Sequence, residues 1–177
     1  MPGSGKSELA NCVSQKYNFP KVYFGGIVLE ELAKLGLLIS PRNERLVRER
    51  LRNDLGMAAI AILASTQIDA HLKSGANVII DGLYSGEEWQ HLRSKYEDNL
   101  FLIACHVTKT IRFERLRRRK FRPLTRKQAE RRDIRELQTL NKAVPIVLAD
   151  FHVLNNESID QAVSTVDFIV KTILQEK

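Results

Sequence analysis

The sequence predicts an α/β fold built on a mostly parallel sheet, and three observations predict it. Short apolar runs alternate with helical patterns through the 177 residues, the order expected when strands are joined by crossover helices. Two central runs, Asn77–Asp81 (NVIID) and Leu100–Val107 (LFLIACHV), are apolar throughout instead of alternating; strands covered on both faces have that composition. The chain opens MPGSGKSE, in which small residues and Lys-Ser lead straight into a helical pattern, as in the phosphate-binding loop G-x-x-x-x-G-K-[ST].

Taken in order, Ser7–Tyr17 reads as a helix stopped by Asn18 and Pro20, and Lys21–Phe24 (KVYF) as a short strand. Gly25-Gly26 then predicts a turn, with a helix over Ile27–Leu35 ended by Gly36. After Ser40-Pro41, where proline suits a first helical turn, Asn43–Leu72 carries a long helical pattern with Gly56 as a possible break. Its front half is charged (ERLVRERLRNDL) and its back half apolar (MAAIAILAS), so the back half is expected under the sheet. Asn77–Asp81 is a buried strand closed by Asp81-Gly82, and Gly86–Tyr96 an amphipathic helix with Glu87 and Glu88 in its first turn, where acids suit the helix dipole. Leu100–Val107 is the second buried strand, Thr108–Lys120 an increasingly basic helix, and Phe121-Arg122-Pro123-Leu124 a break. Helix resumes over Thr125–Leu140 with Thr125 as cap. Ile146–Asp150 forms one more turn, Phe151–Leu154 a strand ended by Asn155-Asn156, and Ser158–Leu174 a closing helix.

With 44% hydrophobic residues and no linker or repeat, residues 1–177 are expected to form one globular domain. The net charge of +7 is concentrated: from Arg112 to Arg135 ten Arg and two Lys face three acids, a local +9. Two distant cysteines, Cys12 and Cys105, argue against a disulfide scaffold or zinc knuckle, and no apolar stretch approaches a membrane span. A reducing cytoplasm is the expected location and no membrane partner is expected.

The candidate chemistry follows from these placements. In Gly3-Ser4-Gly5-Lys6-Ser7 the small residues let backbone N–H groups wrap a phosphate, and the following helix adds its N-terminal partial charge. Lys6 would reach the outer phosphates and Ser7 would offer a hydroxyl to Mg²⁺. Asp81, at the C-terminal end of a buried strand, stands where open parallel sheets bind ligands; it would hold Mg²⁺ or orient an acceptor, or simply serve as a turn residue. The segment 112–135 reads as a basic lid whose planar Arg donors match phosphoryl oxygens; a solvated face or nucleic-acid patch is the alternative. Phe113 and Phe121 are too few for base stacking, so nucleic acid is an unlikely partner. The four histidines have no metal spacing.

MPGSGKSE, NVIIDGLYSGEE, the RFERLRRR helix, RRDIREL and LADFHVLNN occur in that order. In this combination the chain resembles the adenylate-kinase-related P-loop family known best from archaea, and more distantly the dephospho-coenzyme A and nucleoside monophosphate kinases. The resemblance implies a parallel sheet of order 2-3-1-4-5 with helices on both faces, and ATP with Mg²⁺ as cofactors. By position it implies that Gly3, Ser4, Gly5, Lys6 and Ser7 bind phosphate, that Ser7 and Asp81 hold the metal, and that Arg115 and Asn155 touch the nucleotide. Lys6, Asp81, Arg115, Arg119 and Arg132 become the catalytic candidates, with Arg112 on the lid helix and Arg132, Asp133 and Glu136 matching an R-D-x-x-E motif. The chain departs from the family at Tyr84, where Arg is usual, and at Gly25 or Gly26, where an acid is usual; both departures fall on the acceptor side.

The expected function is ATP-dependent phosphorylation of a nucleotide or other small metabolite, with a nucleotide or phosphorylated small molecule as the expected acceptor. A nucleotide-binding protein or slow NTPase without an acceptor is the alternative, and a nucleic-acid binder a more distant one. The strand that precedes such a loop is central in the implied sheet, and its absence would strand backbone groups on two neighbours. The sequence reading therefore expects Met1 to be an internal methionine, preceded in the natural protein by an apolar run and Gly.

Overall fold

The computed structural model describes residues 1–120 and 122–175; Phe121, part of the expected break, lies outside the described residues. In chain order the elements are α1 (Lys6–Tyr17), β1 (Lys21–Tyr23), α2 (Phe24–Lys34), α3 (Pro41–Leu55), α4 (Ala59–Lys73), β2 (Ile79–Asp81), α5 (Gly86–Tyr96), β3 (Ile103–His106), α6 (Lys109–Arg117), α7 (Arg126–Leu140), α8 (Ala143–Val147), β4 (Phe151–Leu154) and α9 (Ile159–Gln175). A single 3₁₀ turn, Glu97–Asn99, follows α5. The fold is α/β, helix-rich, with parallel strands. It divides into two compact units, Met1–Tyr17 with Phe101–Lys177, and Asn18–Leu100.

In the unit Asn18–Leu100, β1 and β2 pair in parallel, with Lys21 opposite Ile79, Val22 opposite Ile80 and Tyr23 opposite Asp81. The long helical pattern breaks at Gly56, where φ is +81°. Ser40 caps α3, its Oγ accepting from the Asn43 N–H at 3.1 Å, with Pro41 in the first turn. The apolar back half forms α4, whose Ala59, Ile60, Ala61, Ala64 and Ile68 are buried with Val22, Phe24, Ile27, Val28 and Leu32 in one core. A reciprocal capping box starts α5: Ser85 Oγ accepts from Glu88 N–H at 3.0 Å, and Glu88 Oε2 accepts from the Tyr84 and Ser85 N–H groups at 2.7 and 3.3 Å.

The expected turn at Gly25-Gly26 is absent. Instead α2 begins at Phe24 and takes both glycines into its first turn. The physical reason is twofold. Phe24 is fully buried, which anchors the chain where the helix starts. The first-turn N–H groups have no helical partner in any case, so poor helix formers cost least there.

In the other unit β3 pairs in parallel with β4, from Ile103 opposite Phe151 to His106 opposite Leu154. The strand is shorter than the apolar run LFLIACHV because the Leu102 N–H is taken by the Asp150 carboxylate at 2.7 Å. The buried face of α9, Ala162, Val166, Ile169 and Val170, follows helical spacing, and α1 packs on α9. Thr125 caps α7 as expected, in a capping box with Gln128. Phe113 and Leu116 of α6 bury against Ala129 of α7 with Leu124. Among the described residues β2 pairs only with β1, and β3 only with β4. No single helix is long and apolar enough to cross a membrane.

Candidate functional site

The site in the first unit is built on the stretch 1–7. Gly3 and Gly5 hold φ of +81° and +90°, a region that suits glycine. Both are also sterically required. A Cβ at Gly3 would lie 2.8 Å from the Arg112 carbonyl oxygen, and one at Gly5 would lie 2.3 Å from Asn155 Nδ2. α1 then starts at Lys6, and its first turn bonds back to the loop, the Leu9 N–H donating to the Gly5 carbonyl at 3.1 Å.

Three side chains tie back carbonyls of the loop. Asn155 Nδ2 donates to the Ser4 carbonyl at 2.9 Å, and the Cys105 thiol to the same oxygen at 3.1 Å. Arg112 Nη1 donates to the Pro2 carbonyl at 2.9 Å. Carbonyl oxygens repel an anion and N–H groups attract one, so a loop whose carbonyls are engaged by its own protein is prepared for phosphate. Asn155 is itself fixed, 2% exposed and with its N–H bonded to the His106 carbonyl at 2.8 Å.

Three buried polar atoms around this loop have no hydrogen-bond partner: Ser4 Oγ, Arg115 Nη1 and Asn155 Oδ1. They gather at one place, because the Cβ point of Gly5 lies within 3.9 Å of both Asn155 and Arg115 Nη1 and Ser4 is its neighbour. Each such orphan costs about 1–3 kcal/mol. A guanidinium N–H and a hydroxyl suit phosphate oxygens; the Asn155 carbonyl suits a ligand N–H or O–H. The residues present thus fit a nucleotide. Burial pushes the Cys105 thiol's pKa up, against the pull of its bond to Ser4 and of the nearby Lys6 and Arg115 charges.

Several cations of the basic segment pair with acids close by. Arg112, 9% exposed in its side chain, meets Asp133 of α7 through both terminal nitrogens, at 3.2 and 2.5 Å. Arg132 donates to Glu136 at 2.8 Å, and Glu136 also receives the buried Lys142 ammonium. Burial alone would raise the Glu136 carboxyl, but Lys142 and Arg132 hold its pKa below the ordinary carboxylate range. Arg117 and Arg118 pair with Glu114, and Arg126 with Glu130. Arg115 and Arg119 line a cleft of about 520 Å³ with Thr110, Ile111, Glu114 and Arg118.

The structure therefore brings Gly3, Ser4, Gly5, Arg115 and Asn155 together, with Lys6 and Ser7 opening α1, while Arg132 is engaged by Glu136. Asp81 belongs to the other unit, where it ends β2 and is 4% exposed. The sequence marks neither Cys105 nor Lys142 as a site residue. A lone thiol in an apolar strand and a lysine after a helix carry no local signal; only the packing reveals them.

A family profile described as an AAA domain (AAA_17) matches residues 1–145. A UPF0200 protein of Thermococcus kodakarensis is 38% identical over 179 residues, covering 99% of this chain and 96% of the relative. The chain belongs to the UPF0200 family. A second UPF0200 protein, from Methanocaldococcus jannaschii, is 36% identical over 176 residues, covering 98% of this chain and 87% of its own. The crystal structure of shikimate kinase from Bacteroides thetaiotaomicron superposes with a TM-score of 0.61 at 15% identity, covering 96% and 93% of the two chains. The fold of this UPF0200 protein is therefore that of a P-loop kinase, as the resemblance implied.

Proposed function

We propose that this UPF0200 protein is a kinase that transfers the γ-phosphate of ATP to a hydroxyl of a nucleotide or other small metabolite. One observation carries the reading: the unpartnered Ser4 Oγ, Arg115 Nη1 and Asn155 Oδ1 converge on a glycine loop whose carbonyls are already engaged. Lys6 and Arg115 neutralise the migrating phosphoryl group, and Arg119 adds charge from the α6 cleft. Ser7 offers an oxygen ligand of the kind Mg²⁺ takes; an ion held there would neutralise charge developing on the phosphates. Arg132 acts through Glu136 and Lys142, as part of a basic lid over 112–135. Catalysis is chiefly positioning and electrostatics.

The test is ATP binding by calorimetry, followed by turnover with a panel of acceptors, for wild type and Lys6→Ala. Acceptor-dependent ADP release that Lys6→Ala abolishes is expected. ATP binding with no phosphorylated product from any acceptor would refute the kinase reading. That result would favour a second one, nucleotide binding without transfer, which Tyr84 in place of the usual Arg and the engagement of Arg132 by Glu136 support.

A further inference from the structure

Within the unit that carries the phosphate loop, helix α6 is the floor of the loop, and one of its residues touches the loop twice. A Cβ at Gly3 would lie 2.8 Å from the Arg112 carbonyl oxygen and 3.1 Å from Leu116 Cγ, so the loop rests directly on the helix. The side chain of Arg112 also donates from Nη1 to the Pro2 carbonyl at 2.9 Å. The same nitrogen donates to Asp133 Oδ1 at 3.2 Å, and Nη2 donates to Asp133 Oδ2 at 2.5 Å. Asp133 belongs to α7.

The guanidinium is planar, and each terminal nitrogen carries two hydrogens. A two-point contact with one carboxylate fixes that plane. One hydrogen of Nη1 goes to Oδ1, so the direction of the other is set, and it meets the Pro2 carbonyl.

We propose that Asp133 is a positioning residue for the phosphate loop: it fixes the Arg112 guanidinium so that the arginine holds Pro2, and α7 thereby sets the loop's affinity for a nucleotide. This role rests on the nucleotide-binding part of the function proposed above and names what shapes the loop from outside it.

Three observations separate this role from a bond that merely joins two helices. First, α6 and α7 are joined without it, through Phe113, Leu116, Leu124 and Ala129 and through Lys109 and Glu130 at 3.2 Å. Second, the contact is shielded: Pro2 is buried, and the Arg112 and Asp133 side chains are 9% and 14% exposed. Water therefore competes little for the Pro2 carbonyl. Third, Asn155 and Cys105 hold the loop at the Ser4 carbonyl, and Arg112 supplies a hold two residues earlier, ahead of Gly3.

Two mild variants test it. Arg112→Lys keeps the charge but lacks the planar fork, and Asp133→Asn keeps one acceptor oxygen in place of two. Hydrogen exchange at the Gly3 and Ser4 amides, followed by NMR and divided by that of buried α9 amides in the same sample, reads loop opening against global opening. It needs no ligand. ADP titration by calorimetry then reads affinity. In both variants the loop amides are expected to exchange about tenfold faster relative to α9, and ADP to bind about tenfold more weakly, the range of one hydrogen bond from a charged donor. Lys109→Ala breaks the other ion pair between α6 and α7 and is expected to leave both readings unchanged.

The proposal is overturned if Gly3 and Ser4 keep their wild-type ratio to α9 in both variants, or if Lys109→Ala loosens the loop as much. ADP affinity within about twofold of wild type in both variants overturns it equally. A wild-type protein that binds no ADP refutes the nucleotide reading, while the exchange ratios still decide whether Asp133 positions the loop.

Discussion

Replacing Gly5 with alanine puts two separable strains on the phosphate loop. At φ of +90° an L side chain is strained by about 1–2 kcal/mol. The new methyl would also lie 2.3 Å from Asn155 Nδ2, so the amide must leave the Ser4 carbonyl it now bonds at 2.9 Å, a further loss of about 1 kcal/mol. Gly5→Ala should therefore cost about 2–3 kcal/mol, a sizeable part of a total stability of roughly 5–15 kcal/mol. The two parts are resolved by a double-mutant cycle read by urea unfolding. In an Asn155→Ala background the clash is gone, so Gly5→Ala should cost only the backbone strain, leaving a coupling of about 1 kcal/mol. Strict additivity would refute the claim that Asn155 sets the loop's shape, and a Gly5→Ala protein as stable as wild type would refute the loop geometry itself.

Other consequences follow from the buried pairs and caps. Asp133→Ala leaves Arg112 buried and unpaired and should cost about 3 kcal/mol; Asp133→Asn, which keeps an acceptor, should cost less in the same urea assay. Glu136 titrates below the ordinary carboxylate range when folded, so its contribution is present above the unfolded pKa, about 4.3, and is lost as pH falls through the lower folded value. Urea midpoints of wild type should therefore drop through that acid window more steeply than those of Glu136→Gln, and parallel profiles would contradict the assignment. Ser85→Ala removes the α5 cap and should cost about 1 kcal/mol without altering ATP affinity, as thermal unfolding and calorimetry can check.

Local structure is legible in this sequence where one residue type answers to one local requirement. Pro41 after Ser40, Thr125 at a cap and the Gly3–Gly5 spacing all perform the jobs their chemistry suggests. Gly25-Gly26 misled because glycine signals a turn from the sequence alone, whereas burial of Phe24 decided that a helix begins there. The strand at Ile103 was overestimated because an apolar run does not reveal that a distant carboxylate, Asp150, claims the Leu102 N–H. In the site, the loop and Asn155 were legible from motif order. The commitment of Arg132 to Glu136 and Lys142 was not, since the nine other arginines between Arg112 and Arg135 look alike until packing sorts the buried from the exposed.

The double acceptance by the Ser4 carbonyl has a consequence for how the loop is shaped. One donor, Cys105, lies in β3, and the other, Asn155, directly follows β4. Side chains on a strand alternate between faces, so a slip of one residue in β3 against β4 would turn the thiol away from the loop and shift the amide. The phosphate loop therefore acts as a gauge of strand register: two parallel strands, four residues each, must be aligned before the loop can close into shape, and a chain folded out of register would carry a full sheet pair and no nucleotide site.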